Sequence, residues 1–212
     1  MYKRQHVVDL DIFLTGHQPT HNLFLLLHHV LRRLPRLQTL TLELPFESCL
    51  RSQSWLFAGV PFALRELSTS LAPDTGLAEF LSTQDAMRSL TLRAPTGDGN
   101  EFAIPPTALP RLCVLRSSHA APALVRALVT GRPVGVVALS VIGHPRPLIA
   151  ALAEGSVRLR RVTLMAVDRT DPCVLLDELA AVAPGLYAIH LVSLFLDSAE
   201  AGIFRTSRWV RC

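Results

Sequence analysis

His17, His21, His28 and His29 form the densest group of potential metal ligands in the chain. Zinc needs imidazoles or thiolates that converge as a tetrahedron. Only His17 and His21 stand four residues apart, and Thr15–Pro19 reads as a turn rather than a helix. They read as surface and turn residues, and no metal site is expected. Nucleophilic chemistry has one candidate, Ser117-Ser118-His119, with Cys113 nearby in sequence. It would need a base within hydrogen-bond reach and a third group to orient that base. No G-x-S-x-G elbow is present, and the nearest glycine–serine pair, Gly155-Ser156, lies in a helix-to-strand turn. Gly97-Asp98-Gly99-Asn100 reads as a turn within an insertion, Ala94–Pro110, and lacks the lysine of a phosphate loop. Asp98 and Glu101 do not complete a twelve-residue calcium loop. The expectation is a protein without catalysis and without a cofactor.

Composition narrows the partners. Of 212 residues, 50% are hydrophobic and 18% charged, enough to bury a core. The formal net charge is +4, but the basic residues are scattered and aromatics make up only 6%. A basic stripe interleaved with aromatics is missing, so nucleic acid is not an expected partner. The most apolar stretch, Val174–Leu196, is broken by Asp177, Glu178 and Pro184, which argues against a membrane span. The start of the chain lacks the apolar run of a signal peptide. Cys49, Cys113, Cys173 and Cys212 form no C-x-x-C pair and are too few for a disulfide scaffold. An intracellular location, cytoplasmic or nuclear, is expected, with Cys113 and Cys173 as small buried side chains.

The elements that would position any site are written in the leucines, 38 in all. Leu37, Leu40 and Leu42 have the form L-x-x-L-x-L. Apolar variants of that form begin at residues 7, 37, 64, 87, 112, 136, 159 and 186. Six of the seven steps between them fall in the 20–29 range typical of leucine-rich repeats. Helical patterns lie between the motifs, in His21–Leu34, Gly76–Thr83, Ala121–Thr130, Pro145–Glu154 and Asp171–Val182. Aligning the motifs gives an aliphatic column of Leu10, Leu40, Leu67, Leu90, Leu115, Leu139, Val162 and Ile189. The next position gives a polar column of Asp11, Thr41, Ser68, Thr91, Arg116, Ser140, Thr163 and His190. Strand side chains alternate, so the first column faces a core and the second faces solvent. A doubly wound sheet, buried on both faces, would not show this contrast.

On these motifs the chain resembles the leucine-rich-repeat superfamily over about residues 7–193. More narrowly, it resembles the irregular C-terminal solenoids of fungal F-box-type proteins. It departs from the pattern where that family places an Asn or Cys after the strand, and no F-box-like segment precedes residue 7. Leu44-Pro45 and Ala94-Pro95 suggest that a proline-forced bend builds the turn instead. The resemblance implies one α/β solenoid over 1–212, with a C-terminal cap or tail at 194–212. It would have about eight strand-turn-helix units, a parallel concave sheet and helices on the convex side. It would be a monomer that binds a protein or peptide, in the manner of a substrate-recognition solenoid of a ubiquitin ligase component.

The concave face is expected to grade from acidic (Asp9, Asp11, Glu43, Glu66) through basic (Arg93, Arg116, Arg161) to apolar (Ile142, Met165, Val192). Arg93, Arg116, Arg161 and His190 are the candidate polar contacts and Met165 the apolar one. Ala201–Trp209 could instead fold over the apolar end. The alternatives are a small α/β enzyme, with a polar cluster at the carboxyl ends of its strands, or a truncated remnant without function.

Overall fold

The computed structural model describes residues 7–14, 19–45, 52–94, 102–141, 144–155, 159–165, 172–192 and 208–210. Nine strands run through these segments: β1 (Asp9–Phe13), β2 (Thr39–Glu43), β3 (Glu66–Thr69), β4 (Ser89–Leu92), β5 (Val114–Ser117), β6 (Val136–Ser140), β7 (Arg161–Met165), β8 (Ala188–Val192) and β9 (Arg208–Val210). They form one sheet in strict chain order. Strands β1 to β8 are parallel, and β9 pairs antiparallel with β8. Five α-helices fill the returns: α1 (His21–Leu31), α2 (Thr75–Ser82), α3 (Pro122–Val129), α4 (Arg146–Ala153) and α5 (Pro172–Val182). All five fall where the periodicity of the sequence puts them. No described helix is long and apolar enough to cross a membrane.

Among the described residues, one face of the sheet is buried and the other is open. In β2, Leu40 and Leu42 are buried while Thr39, Thr41 and Glu43 are partly exposed, and β4 repeats the alternation. One hydrophobic cluster extends from Phe24 to Ala183, with Leu40, Leu67, Leu90, Leu115, Val137 and Val162 side by side in register.

The sixth strand corrects the alignment read from the sequence. Val137, not Leu139, pairs with Leu115 and Val162, and Leu139 pairs with Ser117 and Leu164. The motif is therefore Val134, Val137 and Leu139, all buried, and it begins at 134 rather than 136. Both readings put Leu139 and Val141 toward the core, because a shift of two residues keeps the face of a strand, but the buried first position passes from Val136 to Val134. The backbone decides between them. At each junction one carbonyl accepts two successive N–H groups of the next unit: Val8 from Gln38 and Thr39, Gln38 from Arg65 and Glu66, Arg65 from Arg88 and Ser89. The pattern continues with Arg88, Cys113, Gly135 and Arg160 as acceptors. Gly135 takes its place in this ladder only if the sixth motif starts at Val134.

Two returns are built without an α-helix among the described residues. Between β2 and β3 stands a 3-10 turn, Ser54–Phe57. Its gap against α1 is filled by Trp55, whose ring meets those of His21 and His28 at 6.1 and 5.6 Å. His28 Nδ1 also lies 3.0 Å from the Leu56 carbonyl oxygen. Asp74 caps α2 by accepting from the Leu77 N–H at 2.8 Å, and its other oxygen accepts from the Ser52 and Ser54 hydroxyls. Between β4 and β5 the chain returns as a loop that buries Phe102, Ile104, Ala108 and Leu109. Leu109 is held at φ 55°, a left-handed conformation that costs a leucine on the order of 1 kcal/mol or more.

Arg132 fastens that loop. It is 1% exposed, and its guanidinium donates to the carbonyls of Ala108 (2.8 Å), Pro105 (2.6 Å), Thr130 (3.0 Å) and Ala127 (2.5 Å). Two of these carbonyls belong to the loop and two to the end of α3, where the helix dipole favours a cation. Burial lowers the Arg132 pKa below the usual arginine value.

The turn after β2 is closed by a side chain. The buried Ser70 hydroxyl accepts from the Leu44 N–H at 2.7 Å and lies 3.4 Å from the Leu44 carbonyl. It binds backbone of the neighbouring unit from two positions before Ala72, the place where the resemblance would have put an Asn or Cys. Pro45 follows at this turn, while Pro95, the second expected bend, lies outside the described residues.

Candidate functional site

The open face of the sheet is built from strand positions that alternate with the core leucines. Its middle column reads Asp11, Thr41, Ser68, Thr91, Arg116, Ala138, Thr163 and His190. The corrected register puts Ala138 in place of Ser140, so seven of the eight are polar. Ser140 moves beside Met165 on the outer column, where the sequence reading had Ile142. Ile142 itself lies outside the described residues. The apolar end thus rests on Met165 and Val192, both half-buried, with Val136, Ala138 and Ala188 on neighbouring columns.

A groove of about 680 Å³ runs across the first five strands, lined by Asp11, Glu43, Glu66, Arg93 and Arg116 among others. Arg93 Nη1 reaches Glu43 Oε1 at 2.7 Å. The pair spans the third unit, in which Ser70 follows β3 as Arg93 follows β4. Arg93, a candidate contact, is therefore partly committed to an internal partner. Asp9, Asp11, Glu66 and Arg116 have no ion-pair partner among the described residues. The unpaired charge of the groove is thus mainly acidic at the β1 side and basic at Arg116.

The five candidates fall into two groups. Arg93 and Arg116 share the groove. Arg161, Met165 and His190 lie on β7 and β8. Strands β5 and β7 are separated by β6, about 10 Å at the usual strand spacing. Arg161 is also displaced along its strand, aligned with Val114 rather than Arg116. Its guanidinium sits 6.0 Å from the Tyr187 ring centre, at the outer limit of a cation–π contact. His190 is in register with Thr163 and with Trp209 of β9.

The other constellations separate in space. His21 and His28 pack on Trp55, His29 is exposed and His17 lies outside the described residues. Among the described residues no group of three His, Cys, Asp or Glu could hold a metal ion. Cys113 precedes β5, whereas Ser117 ends it and His119 follows, a separation of about 13–20 Å at strand rise. Ser117 is 2% exposed and faces the core, so it cannot meet a substrate. Cys113 and Cys173 are exposed, against the expectation of burial. Cys113 sits just before its strand, outside the apolar columns, and its Sγ donates to the Arg88 carbonyl at 3.3 Å.

Arg132 is the charged residue that sequence reasoning missed. Gly131-Arg132-Pro133 looks like an ordinary solvated turn, and the loop carbonyls that receive the guanidinium lie more than twenty residues away. Its role is structural. Compared with known proteins, the chain matches no protein-family model, and no curated protein matches it.

Proposed function

We propose that the chain is a leucine-rich-repeat-like solenoid whose open, concave sheet face binds a protein or peptide, without catalysis. The observation that carries this reading is the sheet face left uncovered by the described residues, with its register-aligned column of polar side chains above a continuous leucine core. Chain-ordered parallel strands with one covered face support the solenoid form. Such stacks present extended surfaces suited to polypeptide ligands. The charge layout favours a segment that is basic where it crosses β1 to β3 and acidic where it meets Arg116, with apolar side chains toward Met165. Resemblance to F-box-type proteins makes substrate recognition within a ubiquitin ligase the concrete form of the role.

The test is a random peptide library panned on the full chain. Affinities of the selected peptides are then measured for wild type and for Arg116→Glu/Arg161→Glu. Loss of at least about tenfold in the double variant, with an unchanged melt, is expected. Selected peptides that bind both proteins equally would remove the assignment.

A further inference from the structure

We propose that the β1 end of the sheet is a second docking surface, and that its occupant is a basic β-strand followed by an amphipathic helix, supplied by another polypeptide. Strand β1 is the edge of the sheet. It bonds β2 at Val8, whose carbonyl accepts from Gln38 and Thr39, and at Leu14, whose N–H donates to Glu43 at 2.8 Å. A parallel ladder engages alternate residues of a strand. The N–H and C=O groups of Asp9, Asp11 and Phe13 therefore face the open edge, and no described element pairs along it.

The first helix exposes a matching flank. Phe24, Leu27 and Leu31 face the core, and His21 and His28 face Trp55 of the next unit. At 100° per residue the opposite flank carries Leu23, Leu26 and Val30. These are 37%, 58% and 40% exposed. An open strand edge and an apolar helix flank thus stand at the same end. A strand that continues the sheet, followed by a helix that continues the helical layer, covers both.

Charge selects the occupant. Asp9 and Asp11 are exposed on the open face of β1, and neither has an ion-pair partner among the described residues. In a second copy joined edge to edge about a two-fold axis, β1 would pair antiparallel with itself. Of the registers that match the open faces, full overlap of the strands places Asp11 opposite Asp11 and a shift in one direction places Asp9 opposite Asp11. The opposite shift sets Asp11 against Phe13 and leaves all the carboxylates without a counter-charge. Like charges directly opposite destabilise a strand pair. A docking strand with Lys or Arg at alternate positions meets both carboxylates with opposite charge instead.

The probe is a fluorescein-labelled synthetic peptide. Its strand half alternates Lys with Val, and its helical half presents Leu at i, i+3 and i+7. A control peptide has Glu for each Lys. Fluorescence anisotropy with the full chain should show binding of the Lys peptide, weakened by salt, and little binding of the Glu peptide. Asp9→Lys/Asp11→Lys and, separately, Leu26→Arg should each weaken it about tenfold or more. The Asp11→Asn variant should give a smaller loss, and thermal melts of all these exposed-site variants should follow wild type. Arg116→Glu/Arg161→Glu should leave this binding intact, which separates it from the concave-face reading. Equal binding of the two peptides, no binding of either, or indifference to the aspartate substitutions overturns the proposal. So does a concentration-dependent dimer in sedimentation that Leu26→Arg abolishes, which would give the surface to a second copy.

Discussion

The returns after β5 and β6 differ from those after β2 and β4 in how they cover the same kind of strand. Helices α3 and α4 do it with side chains alone, burying Leu124, Val125, Leu128, Leu148, Ile149 and Leu152. Among the described residues, the return after β2 has a 3-10 turn with Trp55, the imidazoles of α1 and the Asp74 carboxylate. The described part of the return after β4 is a loop held by a buried arginine. The strands barely register the difference, since the same junction ladder joins every unit from β1 to β8. Strand pairing sets the spacing of the units, and the return needs only to bury apolar surface and satisfy its own backbone. A helix satisfies most of its own backbone and takes side-chain partners only at its ends, whereas a loop must borrow donors and acceptors along its length.

That contrast can be broken most sharply at Arg132. Arg132→Ala leaves four carbonyls without their donor and opens a cavity, and should cost on the order of 3–5 kcal/mol. Urea unfolding should show the loss, and limited proteolysis should cut first between Phe102 and Ala108. Lysine should not restore stability, because a single ammonium cannot serve acceptors spread on both sides of a planar fork. A variant as stable as wild type would mean that the loop holds itself.

Leu90→Ala probes the layer common to all units. Leu90 is fully buried between Leu67 and Leu115, and the change should cost about 3 kcal/mol by thermal melting. An unchanged melt would place it outside the core. The smallest effect is expected at Asp74→Ala, about 1 kcal/mol for a lost cap, read also as faster hydrogen exchange at the Leu77 amide. A much larger loss would show that the serine bonds from Ser52 and Ser54, more than the cap, secure the second unit.

The sequence carried the strand layer well, because a motif with fixed spacing names both the face and the register of its side chains. It failed in register only at Val134–Val141. Valines at 134, 136, 137 and 141 let the motif start at either of two residues, and only the junction ladder distinguishes them. Helix positions were legible from their stripes, but the extent of their burial was not. Leu23, Leu26 and Val30 belong to the apolar stripe of α1, yet stay exposed because α1 has a helical neighbour on one side only among the described residues. On the open face, residue types were legible and pairings were not. The Arg93–Glu43 contact joins residues fifty positions apart, across the intervening strand β3. Such facts belong to the stack, and no local pattern encodes them.

The junction ladder has a consequence for how such a chain can change over time. Its seven acceptors are the carbonyls of Val8, Gln38, Arg65, Arg88, Cys113, Gly135 and Arg160, residues of five types that range from glycine to arginine. A joint that ignores side-chain identity is indifferent to which unit arrives next. Tandem duplication or loss of a whole unit would restore the same joint on both sides of the scar. Mutation could then rewrite the open-face residues of the new unit without touching the joinery.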